Sequence, residues 1–331
     1  MNQAVADSAA AFAASRPTPP AAEEGELLVF TADGKGVPMR RPPPPGPRRH
    51  PRRGKGEKAN KKQMAYVGAA YTIDRFVRTA DQVVQELRVP AAVRGARPRP
   101  CHKHVWAEMT QVAEGETHNG RVALFAHLAA QRQRRDPSGD QPTVCLFDGE
   151  RALWDEWLEW FVDTVGILDI FHVLERLWDA AYCFHAEKSR AAEAFVTARL
   201  RMLLEGKVGG VISGLRQMRT KRGLRGAKAQ TVAQVANYLD NNRDFMRYDA
   251  YLAAGYPIGS GVAEGACRHL VKDRLEQTGM RWSVAGAQAM LHVRATYLNG
   301  EWEAFWEHRI AQEQRRLYGP RAAEPIIDMA V

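Results

Sequence analysis

Residues 40–62 read RRPPPPGPRRHPRRGKGEKANKK. Four consecutive prolines with Gly and Pro behind them remove backbone donors and lock φ, so this stretch can be neither a helix nor a central strand. It is expected to be an extended, polyproline-like loop. Any fold for the chain must be built around it. On either side stand short apolar runs, Glu26 to Phe30 (ELLVF), which ends in TADGKG, and Met64 to Ile73 (MAYVGAAYTI). Both read as strands, with the loop inserted in the hairpin between them. Loops of that length inside a compact domain are usually functional or disordered. The loop also carries the charge. Arg40, Arg41, Arg48, Arg49, Arg52, Arg53, Lys55, Lys58, Lys61 and Lys62 stand against Glu57 alone; ten minus one is +9, the whole formal excess of a chain with 47 Lys+Arg and 38 Asp+Glu. Two readings remain open: a linker kept soluble by charge, or an arm that neutralises phosphates without reading sequence.

Two further apolar runs follow. Pro142 to Phe147 (PTVCLF) ends in Asp148-Gly149, and Val165 to Leu168 (VGIL) ends in Asp169. A helical pattern comes after each: Leu153, Trp154, Trp157, Leu158 and Phe161 after the first, Val173, Leu174, Leu177, Trp178 and Ala181 after the second. Strand, helix, strand, helix implies a parallel pair with a right-handed crossover. The first half is therefore expected to be α/β, with a mixed sheet in which an antiparallel hairpin leads into a βαβ unit. From Ala186 to Ala250 the periodicity turns helical, including the basic stretch Arg216 to Lys228 with six Lys/Arg and no acid. Tyr256-Pro257-Ile258-Gly259-Ser260-Gly261 reads as a turn capping a helix that starts near Val262, and helices over Val284 to Leu298 and Trp302 to Leu317 close the chain.

Composition excludes several classes. With 331 residues and 45% hydrophobic content the chain has material for about two domains and is not wholly disordered. No apolar run approaches the roughly 18 residues of a membrane span. The Ala-rich run Ala9 to Ala14 has Asp7 upstream and no Lys or Arg, the wrong order for a signal peptide. Cys101, Cys145, Cys183 and Cys267 form no CxxC pair, against zinc fingers and disulfide scaffolds and in favour of a reducing cytosol.

Three carboxylates stand out by position: Asp33 just past the first strand, Asp148 at the end of a central strand, and Glu264 in the first turn of a helix. Each has a plain structural reading, since Asp-Gly is a common turn and an acid suits a helix N-terminus. Glu264, however, shares a helical stripe with Cys267, Val271 and Leu275, and an acid facing the protein body needs a cationic partner. Carboxylates from two strand ends and a facing helix would make the oxygen-rich, partly open site that Mg²⁺ prefers. Two such ions about 3.5–4 Å apart would activate water or a 3′-hydroxyl for in-line attack on a phosphodiester.

TADGKGVPMRR, KKQMAYVGAAYTIDRFVRTADQV, LFDGERALW, GILDIFHVLERLW and YPIGSGVAEGACRHLVKDRLEQTGMRW together resemble bacterial insertion-sequence transposases of the ISKra group, distant relatives of the Mutator-type enzymes. The resemblance runs from Glu26 to Leu317. It implies a ribonuclease-H-like, retroviral-integrase-like catalytic domain with an Asp-Asp-Glu triad and a helical insertion before the Glu. On it, Asp33 is the first Asp and Glu264 the Glu. Asp148 in LFDGERAL ranks first for the second Asp, with Asp169 second; LDIFH, holding Asp169 and His172, then matches the accessory C/D-x-x-H motif of Mutator-type enzymes. The implied division is a disordered leader over 1–24, a first catalytic part over 25–185 with the basic loop 40–62, a helical insertion over 186–255, and a part over 256–331 with the catalytic Glu and the C-terminal helices.

The implied cofactor is a pair of Mg²⁺ ions, with Mn²⁺ able to substitute. The implied partners are DNA, both element terminal repeats and target, and further copies of the chain assembled on it in the bacterial cytoplasm at the nucleoid. Relatives carry a DNA-recognition region ahead of the first strand, so the short Ala/Pro-rich leader points to an N-terminally truncated frame. His172 would orient substrate or water, or else is a half-buried helix-start histidine. Lys35 touches phosphate or is a turn lysine. Trp282 in GMRW stacks on a base or, more commonly for a Trp between helices, sits in the core. The His102–His104 triplet beside Cys101 lacks a second ligand pair and reads as a basic face. Two alternatives stand beside the transposase: a DNA-binding remnant without catalysis, and a ribonuclease-H-like nuclease that does not transpose.

Overall fold

The computed structural model describes residues 3–40, 62–89, 95–113 and 115–319. In chain order the elements are α1 (Gln3–Ser15), β1 (Leu27–Pro38), β2 (Lys62–Ile73), α2 (Ala80–Arg88), β3 (Cys101–Met109), β4 (Gln111–Ala113), β5 (Glu116–His118), α3 (Gly120–Arg135), β6 (Thr143–Phe147), α4 (Arg151–Trp160), β7 (Val165–Leu168) and α5 (Ile170–Phe184). They continue with α6 (Arg190–Leu204), α7 (Val208–Lys221), α8 (Gly226–Asn241), α9 (Tyr248–Ala253), α10 (Gly261–Ala266), a π-helical stretch (Cys267–Lys272), α11 (Asp273–Leu275), α12 (Val284–Leu298) and α13 (Trp302–Tyr318).

Five strands form one sheet in the order β3-β2-β1-β6-β7. β1 pairs antiparallel with β2 and β2 with β3, whereas β6 runs parallel to both β1 and β7. This mixed sheet is compatible with a ribonuclease-H-like arrangement. β6 is buried along its whole length and β1 over its first six residues, as expected for strands covered on both faces. α3 packs on β2 and β3. An aromatic cluster of Phe30, Phe125, Phe147, Phe161 and Trp154 fills the core beside β6. Trp154 also stacks at 3.7 Å on Phe245, which joins the helical stretch α6–α9 to the sheet. No described helix is long and apolar enough to cross a membrane.

Two expectations need correction. The leader is not disordered where it is described: residues 3–15 form α1, which packs on α12 and α13 through Ala6, Ala9 and Phe12 against Ala289, Val293 and Phe305. Alanine is the strongest helix former, and positions 6, 9 and 13 share one helical face, so a run that looks featureless in composition has both propensity and a side to bury. The first strand also does not stop before Asp33. β1 continues to Pro38 because β2 offers an unbroken ladder, pairing Asp33 with Val67 and Pro38 with Lys62. The Asp-Gly turn signal yields to that ladder. The basic stretch therefore joins two paired strand ends; Arg41, Arg48, Arg49, Arg52, Arg53, Lys55, Lys58 and Lys61 lie outside the described residues.

Candidate active site

Register sets the geometry of the acids. Ala32 on β1 pairs with Phe147 on β6, and Phe147 with Leu168 on β7. Asp33, Asp148 and Asp169 each follow by one residue, so three aspartates stand in a row across neighbouring strands spaced about 4.8 Å apart. Asp148 and Asp169 lie just past the carboxyl ends of β6 and β7, at the starts of the segments leading into α4 and α5, whereas β1 continues beyond Asp33 to Pro38. The ladder reaches Asp169 directly, since its N–H donates to the Phe147 carbonyl at 2.8 Å.

The three aspartates have different surroundings. Asp169 is fully buried, and its oxygens accept from the Phe171 N–H at 2.8 Å, the Ser260 N–H at 2.9 Å and the Ser260 hydroxyl. Ser260 stands at the N-terminus of α10, so Asp169 ties the starts of α5 and α10 together and fixes the helix that carries Glu264. Asp148 receives the Glu150 N–H on Oδ1 at 2.8 Å, and its carbonyl accepts from the Trp154 indole at 2.8 Å. Asp33 accepts from the Gly34 N–H at 2.6 Å and from the Cys267 thiol on Oδ2 at 3.3 Å. Among the described residues, Asp33, Asp148 and Glu264 make no ion pair with Lys, Arg or His.

Their electrostatics show that they share one field. Burial pushes the Asp148 carboxyl up, and Asp33 and Asp169 push it further, against the Glu150 N–H and His172. Partial loss of solvent raises Glu264; Asp169, Glu175 and Asp33 add to this and His172 opposes it. His172 thus acts electrostatically on both Asp148 and Glu264, with its Nδ1 3.8 Å from Glu175. Lys35 acts on Cys267, whose thiol is driven up mainly by burial and by Asp33.

Glu264 itself is exposed, contrary to the stripe expected from its spacing. The buried face of the helix is formed by Ala263, Ala266, Cys267, Leu270 and Val271, which leaves Glu264 at its rim. The His102–His104 triplet is not a basic face as a whole. His104 lies where β3 becomes covered on both faces, and it stacks on His127 at 5.2 Å, with Trp106 and His292 continuing the stack. Burial and the nearby Arg135, Arg134 and Arg16 push His104 down to about 3.

Of the residues assigned to DNA, Arg40 is exposed and donates its N–H to the Trp282 carbonyl at 2.8 Å. Lys62 pairs with Glu276. Trp282 is half-buried; its indole donates to the Leu275 carbonyl at 3.2 Å and the Arg274 guanidinium lies 5.5 Å from its ring, so packing accounts for much of its surface.

Two neighbours of the row escape sequence reasoning. Glu150 sits with Oε2 3.7 Å from where a Cβ on Gly34 would stand, and burial, Asp148 and Asp33 raise its carboxyl. Its place right after Asp148-Gly149 is the one signal that could have flagged it. Tyr238 on α8 covers Gly149 so closely that any Cβ there would lie 2.2 Å from the ring; nothing local in the sequence announces that contact. The donor chemistry, carboxylate oxygens that make no ion pair, fits a hard divalent ion. The spacing is open: among the described residues no group of three or more His, Cys, Asp or Glu side chains could hold a metal ion as it stands.

No protein-family model and no curated protein matches the chain. Among solved structures it is similar to the Drosophila P element transposase strand transfer complex, at 8% identity and a TM-score of 0.26, over 96% of this chain and 70% of that one. A likeness that slight carries no weight for fold or function.

Proposed function

We propose that this chain is the ribonuclease-H-like catalytic core of a DDE transposase, of the ISKra-group type that its motifs resemble, cutting and joining DNA strands of an insertion sequence. The observation that carries the reading is the row across the sheet, Asp33 beside Asp148, with Glu264 in the same field and, among the described residues, no ion pair to any of the three. Asp33, Asp148 and Glu264 would hold divalent metal, Mg²⁺ or in its place Mn²⁺, with two ions expected. Bound there, the metal supplies activation of the attacking oxygen and charge stabilisation of the leaving oxygen. His172, which acts electrostatically on Asp148 and Glu264, orients that attacking oxygen. The nucleophile is water in the first step, which cuts the phosphodiester and releases a 3′-hydroxyl. That hydroxyl is the nucleophile in the second step, and a target-strand 3′-oxygen leaves. Asp169 acts as a positioning residue through Ser260. Arg40, Lys62 and the basic stretch between them supply phosphate contacts at the root of β1 and β2, near Trp282. The working form is a multimer on DNA in the bacterial cytoplasm, at the nucleoid.

The test is Mn²⁺-dependent nicking and strand transfer on DNA with matched element ends. Asp33→Asn, Asp148→Asn and Glu264→Gln proteins that still fold are expected to lose at least about a hundredfold in rate. Full activity of Asp148→Asn with loss in Asp169→Asn would reverse the order of those two residues. The alternative is a DNA-binding remnant without catalysis. That reading requires salt-dependent DNA binding that survives removal of all three acids, with no cutting by the unaltered chain.

A further inference from the structure

The basic stretch Arg216 to Lys228 forms the tip of the α7–α8 hairpin, and the active-site reading leaves it unused. Arg216 pairs with Asp240 at 2.8 Å. Among the described residues, Arg219, Lys221, Arg222, Arg225 and Lys228 make no ion pair, and all but Arg219 are exposed. The tip is rigid. Gly223 takes φ +58°, its N–H donates to the Thr220 carbonyl at 3.0 Å, the Leu224 N–H donates to the Arg219 carbonyl at 3.1 Å, and Leu224 packs on the core.

Helix electrostatics separate these cations into two groups. Arg219 and Lys221 lie in the last turn of α7, where positive charge suits the dipole. Arg225 is the N-cap of α8 and Lys228 stands in its first turn, where the dipole opposes positive charge; no side chain caps that end. Cations held at the wrong end of a helix, with no acid paired to them, are favoured only when an anion arrives.

The tip has a fixed relation to the carboxylate row. Tyr238 covers Gly149, next to Asp148, and the Arg176 guanidinium lies 5.2 Å from the Tyr238 ring. At the other end of the same helix, Lys228 and Thr231 act on the Cys183 thiol near the end of α5. α8 therefore runs from the row to the tip. From residue 238 to residue 226 is twelve residues, or about 18 Å at 1.5 Å each. A DNA strand rising about 3.4 Å per nucleotide covers that distance in five or six nucleotides.

We propose that the α7–α8 tip, through Arg222, Arg225 and Lys228 with Lys221 beside them, is a second DNA-backbone site that holds duplex phosphates about six nucleotides from the carboxylate row. This rests on the DNA-processing reading above, and its test is one of binding, independent of cutting.

The experiment compares the full chain with its Arg222→Ala/Arg225→Ala/Lys228→Ala variant, on exposed helix-hairpin positions, with circular dichroism as the check of folding. The probe is a fluorescein-labelled random-sequence duplex of about 30 base pairs, titrated by anisotropy over a range of salt. Each lost phosphate contact lowers the slope of log K against log salt by about 0.9, so the variant should be shallower by about 2–3. An unchanged slope overturns the inference and returns the tip to being a solvated hairpin, while leaving the DNA reading intact. Weaker binding at an unchanged slope overturns it as well, because the loss is then not one of phosphate contacts. Failure of the unaltered chain to bind the duplex overturns both.

Discussion

Asp148 and Asp169 occupy equivalent places at the ends of neighbouring strands, yet their partners give them different work. Asp169 accepts three hydrogen bonds from the starts of two helices and is sealed from solvent. Replacing it by alanine leaves the Phe171 and Ser260 N–H groups without an acceptor and should cost about 2–4 kcal/mol in a urea unfolding experiment. A loss below about 0.5 kcal/mol would show that these bonds are not structural. Asp148 behaves in the opposite way. Its carboxyl is raised, so the folded state holds that proton more tightly than the unfolded chain, and ionising the group destabilises the fold as pH rises through the raised value. Asp148→Asn should therefore melt roughly 1–3 °C above the unaltered protein at pH 7. The gap should close as pH falls toward the ordinary aspartate value of 3.8. Equal melting temperatures at pH 7 would remove the argument that this acid sits in an unneutralised field. Higher stability together with lost nicking is the signature of a carboxylate kept for chemistry.

Among the elements, α1 and the helix carrying Glu264 show how local pattern and final structure part ways. The α1 sequence has helix propensity, but what it covers is supplied by α12 and α13, nearly 300 residues away. Phe12 lies 5.7 Å from Phe305 and is 6% exposed. Phe12→Ala should cost about 3 kcal/mol by thermal unfolding, the usual result of emptying a packed aromatic site; a neutral substitution would mean that α1 does not stay docked. In the Glu264 helix, a count of three and four residues groups Glu264 with Cys267, Val271 and Leu275, yet only the last three are buried. Small alanines at 263 and 266 take the inward side instead, and the π-helical stretch from Cys267 then changes the phase. Glu264 is left at the solvent edge, where an acid meant to meet a ligand has to be.

Across the whole molecule, the residues that flank the basic stretch, Arg40 and Lys62, stand at the far ends of the paired strands β1 and β2, beyond Asp33. β1 carries the chain past Asp33 to Pro38, the basic stretch follows, and Lys62 opens β2 opposite Pro38. Deleting Arg41 to Lys58 should weaken binding of duplex DNA and make its salt dependence shallower by several units, with the melting temperature unchanged. Identical salt titrations before and after the deletion would make the stretch a solvated linker. That outcome is separable from the α7–α8 tip, which lies in a different part of the chain and at the far end of α8.

Elements with local signals are legible along the chain: continuous apolar runs for β1, β6 and β7, the helical repeats of α4, α5, α12 and α13, and the proline-rich break between β1 and β2. The sequence also marked Asp148 and Asp169 as strand-end acids, because each follows an apolar run directly, and Asp33 as an acid close behind one, although β1 runs on past it to Pro38. It missed β3, α2 and α3, whose mixed runs such as CHKHVWAEM take their form from β2 on one side and α12 on the other. That the three aspartates stand in one row emerges from the folded sheet, since register belongs to strand pairs and not to either strand alone. The fold also decides that Asp169 is consumed by hydrogen bonds while Asp148 is not, that Tyr238 closes over Gly149, and that His104 is buried. Each of these depends on what arrives from a distant part of the chain, and burial and partner choice are set by that arrival.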